Sequence, residues 1–196
     1  MSTTALADDV LAWLADLEKL VGESGWEQDH ALWLCTTVPM GRDSNNKPIT
    51  AVTFSKAPLP GIMDYRAGRY LLEFAAQLRA KDDFRQALLD VREDSGDLFA
   101  VAFSSESFSI PPQDAQGEWR HRNWAEHPER REARSILAVD IFGGRYSVFR
   151  HRDDDQMTIG HNRGGDKAQI RNLEGTVING LGQILDALRT PPWLRR

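Results

Sequence analysis

One segment in the second half of the chain constrains the fold more than any other. The apolar, partly β-branched runs 135–142 and 145–150 flank the pair Gly143-Gly144. Glycine adopts a positive φ at no steric cost, and a tight turn between antiparallel strands requires that conformation. The segment therefore predicts a β-hairpin, and with it an antiparallel sheet on which the rest of the chain packs.

Further strands and helices are predicted from periodicity and from turn residues. Apolar runs closed by prolines or turn residues predict strands at 31–38, 49–54 and 98–110. Helical spacing of apolar residues predicts helices at 4–21, 69–91 (one kinked helix or two) and 176–188. In the last helix, Gly180 and Gly182 lower helix propensity, which suggests close approach to a neighbouring element.

These elements predict an α+β fold. We expect a single domain over residues 1–196, with a mostly antiparallel sheet of about five strands and helices packed on one face. Residues 111–131 and 153–174 are predicted as loops, and residues 190–196 as a C-terminal tail.

Composition excludes several classes of protein. A chain of 196 residues, 41% of them hydrophobic, is long enough to bury a core. The single cysteine, Cys35, excludes an internal disulfide and a thiolate metal cage. Because no apolar run approaches the roughly 18 to 20 residues of a membrane-spanning helix, we expect a cytoplasmic protein without membrane insertion.

The charge distribution disfavours nucleic acid as a partner. The net charge is −5, and the acidity is concentrated in the first half of the chain. Residues 118–134 mix aromatic side chains with five arginines, but four glutamates accompany them. A nucleic-acid interface needs a clearer positive excess, so ion pairing within this segment is the favoured interpretation.

The same segment is the main candidate for a binding surface, because tryptophan and arginine are common anchors of protein interfaces. An alternative is a structural latch that docks across the sheet with Trp124 buried. The candidate surface residues are Trp119, Trp124, His127, Arg130, Arg134, Arg150 and Arg152.

A second candidate site lies after the glycine hairpin. The consecutive carboxylates Asp153, Asp154 and Asp155 are of the type that binds a divalent cation, and the glycine-rich segment Gly160–Lys167 carries basic residues suited to a phosphate. The alternative is a solvated strand end, since neighbouring side chains of an extended segment point to opposite faces. The motif spacing of known phosphate loops is absent.

Catalytic signals are weak, and no cofactor is predicted. Cys35 lies in an apolar strand pattern typical of a core residue, and no nucleophile-elbow motif accompanies the histidines. The leading hypothesis is a non-enzymatic protein-interaction or accessory module of the chaperone or immunity kind. It would bind a protein partner, or a second copy of the chain as a homodimer, through an uncovered sheet face or through the segment around Trp119 and Trp124. The alternative is a nucleotide- or metal-dependent enzyme that uses the acidic run and the glycine-rich segment.

Several short segments, taken together, resemble a family of small cytoplasmic actinobacterial proteins. The matching segments are Gly25-Trp26-Glu27-Gln28, Pro58-Leu59-Pro60, Ile110-Pro111-Pro112, His127-Pro128-Glu129-Arg130 with Arg134, and Arg150–Asp155. The family has no established activity, so the resemblance implies a cellular context and no catalytic residues. That context is an accessory role near membrane proteins, with a membrane-associated complex as the expected partner.

Overall fold

A computed structural model of the chain describes residues 3–42, 44, 46, 48–57, 59, 67–91, 96–120, 122–162 and 175–189. The helices are α1 (Thr3–Glu23), α2 (Ala67–Ala80), α3 (Asp82–Asp90), α4 (Pro112–Gln116), a short 3-10 helix (Trp124–Glu126) and α5 (Thr176–Arg189). The strands are β1 (Ala31–Arg42), β2 (Pro48–Ala57), β3 (Asp97–Ser109), β4 (Arg131–Asp140), β5 (Arg145–His151) and β6 (Met157–His161).

The strands form one antiparallel sheet in the order β2-β1-β3-β4-β5-β6. The predicted glycine hairpin is present as β4 and β5. Gly143 has a φ of 79°, and the buried carboxylate of Asp140 accepts hydrogen bonds from the backbone N–H groups of Phe142 at 2.7 Å and Gly144 at 2.8 Å. The Tyr146 hydroxyl also donates to Asp140, at 2.6 Å, so the turn is held from inside the sheet.

The α+β prediction is confirmed, and the sheet has six strands where about five were expected. The additional strand is β6, which lies within the predicted loop 153–174. It is short and contributes few buried apolar side chains, so its sequence has little of the periodicity by which strands are recognised. Residues 163–174 and the predicted tail 190–196 lie outside the described residues.

Helices cover both faces of the sheet, where one covered face was expected. Buried side chains of α1 pack with Trp33, Ala102 and Tyr146 on one face, whereas α2, α3 and α5 pack with Leu34 and Phe103 on the other. Burial on both faces explains why β1 and β3 contain uninterrupted apolar runs. A strand with one solvated face would instead alternate apolar and polar residues. The predicted long helix 69–91 is divided into α2 and α3 at Lys81.

Candidate functional site

The residues predicted as a binding surface fall into two groups. The first group lies near the start of β4, at the end of β5 and directly after β5, on the face that carries α1; it consists of Arg134, Arg150 and Arg152. The second group lies in residues 111–130, which we call the tryptophan segment; it consists of Trp119, Trp124, His127 and Arg130.

The register of the sheet aligns the charged residues of the first group. Glu106 on β3 faces Arg134 on β4, which in turn faces Arg150 on β5. Arg134 is only 1% exposed, and its Nε and Nη2 donate to Glu106 Oε1 at 3.1 and 2.6 Å. A buried guanidinium needs such partners, because transferring an unpaired charge out of water is very costly.

Helix α1 adds a carboxylate that the sequence analysis missed. Glu18 is fully buried, and its Oε1 accepts from Arg150 Nε at 3.0 Å and from Arg134 Nη1 at 3.5 Å. Its Oε2 is buried and has no hydrogen-bond partner among the described residues. The signal was present in the sequence, since Glu18 follows Leu14 by four residues and precedes Val21 by three, on the apolar side of the helix.

The loop between α1 and β1 closes over this network. Arg134 Nη2 donates to the carbonyl oxygen of Gly25. The backbone N–H groups of Glu27 and Gln28 donate to Glu106 Oε2 at 2.6 and 3.3 Å, and Glu27 holds a positive φ of 68°. The guanidinium and carboxylate groups of the network are directed at each other, so it joins α1, the loop and three strands.

Trp26 lies between two arginines at the surface of the network. The guanidinium carbon of Arg134 is 4.6 Å from the centre of its indole ring, and that of Arg152 is 5.6 Å away. Arg152 also donates to Glu132 Oε2 at 2.5 Å. The three predicted arginines therefore meet at one end of the sheet, and each is engaged by partners within the chain.

The tryptophan segment is built around His127, which is 4% exposed. Its Nδ1 accepts the backbone N–H of Glu129 at 3.0 Å, and its Nε2 lies 3.4 Å from Asp114 Oδ2. The Trp119 and His127 rings meet edge to face, with their centres 4.6 Å apart. These contacts join the beginning of the segment, at Asp114 and Trp119, to its end at His127 and Glu129.

Trp124 is an exposed aromatic residue of this segment. The indole is 37% exposed, so the expectation of a latch with Trp124 buried is corrected; the buried residue is His127. Trp124 Nε1 donates to the carbonyl oxygen of Trp119 at 3.0 Å, and the guanidinium carbon of Arg122 lies 5.3 Å from the Trp119 ring centre. The exposed Arg130 lies over the Phe108 ring at 5.7 Å.

The acidic run does not converge on one point. Asp153 accepts from Arg131 Nη2 at 2.6 Å, and this hydrogen bond lowers the pKa of the Asp153 carboxyl from its ordinary value. Asp154 accepts the backbone N–H of Gln156 at 2.9 Å. In the part of the chain that the structure describes, no group of three or more His, Cys, Asp and Glu side chains is placed to hold a metal ion, Asp153–Asp155 included.

The glycine-rich segment of the second candidate site lies only partly within the described residues. Gly160 belongs to β6, and residues 163–167 of the segment Gly160–Lys167 lie outside the described residues. The geometry of the acidic run and of β6 therefore gives no support to a nucleotide or cation site here.

Cys35 and the Ser109–His151 pair are two further groups with nucleophilic character. Cys35 is buried in the core as expected, and burial raises the pKa of its thiol to about 12, so it is not a reactive thiolate at neutral pH. On the face opposite α1, the Ser109 hydroxyl lies 2.9 Å from His151 Nε2, a pair that joins the ends of β3 and β5.

Comparison with protein-family models, with curated proteins and with solved structures finds no match for this chain. Among the described residues, no helix combines the length and the apolar character that crossing a membrane requires. The arginines of the first group and the residues of the tryptophan segment are therefore the basis for a function.

Proposed function

We propose that this protein is a non-enzymatic protein-interaction module, an accessory protein of the chaperone or immunity kind, and that the tryptophan segment is its contact surface. Trp124 carries the proposal. Its ring is 37% exposed, while its only polar group already donates to the Trp119 carbonyl oxygen. The ring thus offers a partner an apolar surface with no polar group left to satisfy, which is what the anchor of a protein interface provides.

The segment is held in place before any partner binds. Asn123 caps the 3-10 helix by accepting the backbone N–H of Ala125 at 3.1 Å, and the buried His127 ties the following turn to Asp114 and Trp119. A rigid contact surface loses little conformational entropy on binding, so more of the interaction energy contributes to affinity.

The charges around Trp124 favour a protein partner with an apolar anchor site and a mixed polar rim. Arg122 pairs with Glu118 at 2.6 Å, and the neighbouring exposed residues Glu126, Glu129 and Arg130 carry both signs. Interfaces between proteins have this arrangement of an apolar centre and a polar rim. A polyanion such as nucleic acid would require a positive surface instead.

The test is photo-cross-linking in the native cells, with a photoreactive amino acid at position 124 of the full chain. We expect a covalent adduct with a distinct partner protein, absent when the same group replaces Asp16, an exposed residue of α1. With purified partner, Trp124→Ala should lower affinity at least tenfold, about 1.4 kcal/mol.

Leu20→Ala is the matched control, because Leu20 is another exposed apolar residue, 44% exposed, on a different surface. This variant should bind the partner as the unmodified chain does. The proposal fails when position 124 yields no specific adduct, or when Trp124→Ala and Leu20→Ala bind equally well.

A further inference from the structure

The two edge strands of the sheet differ in how their edges are protected. β2 contains Pro48 at its start and Lys56 near its end, and proline and lysine both discourage pairing with another chain. β6, with the sequence Met-Thr-Ile-Gly-His, contains neither proline nor a lysine, arginine or carboxylate, and its Ile159 is 49% exposed. An apolar edge strand of this kind is a template for a further strand.

The hydrogen-bond register shows which backbone groups of β6 are available. In an antiparallel pair, residues alternate between those that bond to the neighbour and those that point away. Asn162 N donates to Arg145 O at 3.1 Å, so positions 158, 160 and 162 bond to β5. Met157, Ile159 and His161 consequently direct their backbone N–H and C=O groups away from β5, toward the edge at which the described part of the chain has no further strand.

We propose that this edge pairs with β6 of a second copy of the chain, antiparallel about a two-fold axis at Ile159. Ile159 then faces Ile159 of the other copy, and Met157 faces His161 of the other copy. Every facing residue is one whose backbone groups point outward, so each pair exchanges two backbone hydrogen bonds. The two sheets become one continuous sheet, and the exposed Ile159 side chains are buried against each other.

The occupant is a second copy because the strand is complementary to itself in this register. A methionine sulfur opposite an imidazole is a favourable contact, and the flanking amides Gln156 and Asn162 face one another. The antiparallel arrangement also keeps the two acidic runs, Asp153–Asp155, at opposite ends of the interface. A parallel arrangement would bring these like charges together, which is destabilising.

This pairing goes beyond the proposed function and uses a different surface from the tryptophan segment, so either can fail without the other. The first test is the mass of the purified full chain by analytical ultracentrifugation over a wide range of concentrations. We expect a dimer that dissociates on dilution, since the strand is short. Ile159→Lys should give a monomer, because two like charges would meet at the axis.

Met40→Lys is the matched control, as Met40 is 65% exposed near the other edge of the sheet. It should leave the dimer intact, and circular dichroism should show that both variants keep the fold. A chain that is monomeric at every concentration overturns the proposal, as does a dimer that Ile159→Lys leaves unchanged.

A covalent test fixes the register independently of stability. Ile159→Cys should form a disulfide-linked dimer on mild oxidation, whereas Met40→Cys should not. Cys35 does not compete, because it is buried and its thiol pKa is raised to about 12. A mixture of Met157→Cys and His161→Cys chains should give mainly the mixed disulfide. Equal cross-linking at position 40, or none at position 159, contradicts the pairing.

Discussion

Arg134 is the largest fully buried side chain of the described residues, and it carries a charge. It is accommodated because Glu106, Glu18 and the carbonyl oxygen of Gly25 all accept hydrogen bonds from it. Removing a guanidinium from water is costly, and only such complete pairing offsets the cost. The residue therefore joins α1, the following loop and the sheet into one unit.

Arg134→Ala is expected to lower the free energy of unfolding by about 3–5 kcal/mol, because it removes the buried cation that pairs with both Glu106 and Glu18 and leaves only Arg150 beside the fully buried Glu18 carboxylate. Urea denaturation measures the change. Arg131→Ala removes a charge from an exposed pair, with side chains 43% and 65% exposed, and should lower the free energy of unfolding far less than Arg134→Ala does. Equal effects of the two substitutions would show that the buried network contributes little to stability.

At the scale of elements, the two glycines of α5 have different reasons for their presence. A Cβ on Gly180 would lie 2.6 Å from the Cβ of Leu71, so the absent side chain lets α5 approach α2 closely. This is the close approach expected from the sequence. A Cβ on Gly182 meets no described atom within 4 Å, so the expectation does not hold for the second glycine.

Gly182→Ala is expected to raise the free energy of unfolding by about 0.5–1 kcal/mol, because alanine is the better helix former and meets no obstacle. Gly180→Ala should instead lower it, by about 1–3 kcal/mol, since the new methyl group overlaps Leu71. Thermal and urea denaturation of the two variants give the comparison. Changes of the same sign would contradict the packing of α5 on α2.

At the scale of the whole molecule, one sheet supplies two cores. Val101 and Phe103 of β3 belong to the core under α2 and α5, whereas Phe99 and Ala102 belong to the core under α1. The central strands are shared, so loss of either layer removes the support of the other. We expect the two cores to unfold together.

Unfolding should therefore be a single transition, with coincident midpoints by far-ultraviolet circular dichroism and tryptophan fluorescence. Leu17→Ala in α1 and Leu181→Ala in α5, both at fully buried positions, should each cost about 2–5 kcal/mol and shift both signals together. Separate transitions for the two signals in either variant would show that the layers are independent.

Short sequence patterns were sufficient to predict the elements that depend on only a few neighbouring residues. The glycine hairpin, the amphipathic helices and the burial of Cys35 follow from turn geometry and periodicity, and all are present. The strand β6 and the covering of both sheet faces by helices depend on which elements pack beside each strand. A single run of residues does not encode this packing.

The sequence by itself determined the α+β class and the β4–β5 hairpin, because these depend on local backbone preference and residue type. Only the tertiary structure decided that Glu106, Arg134 and Arg150 share one row, that Glu18 lies over them, and that Trp124 is exposed while His127 is buried. The physical reason is that strand register and helix placement minimise the free energy of the whole molecule. Contacts between residues up to 132 positions apart are therefore fixed by packing and not by neighbouring residues.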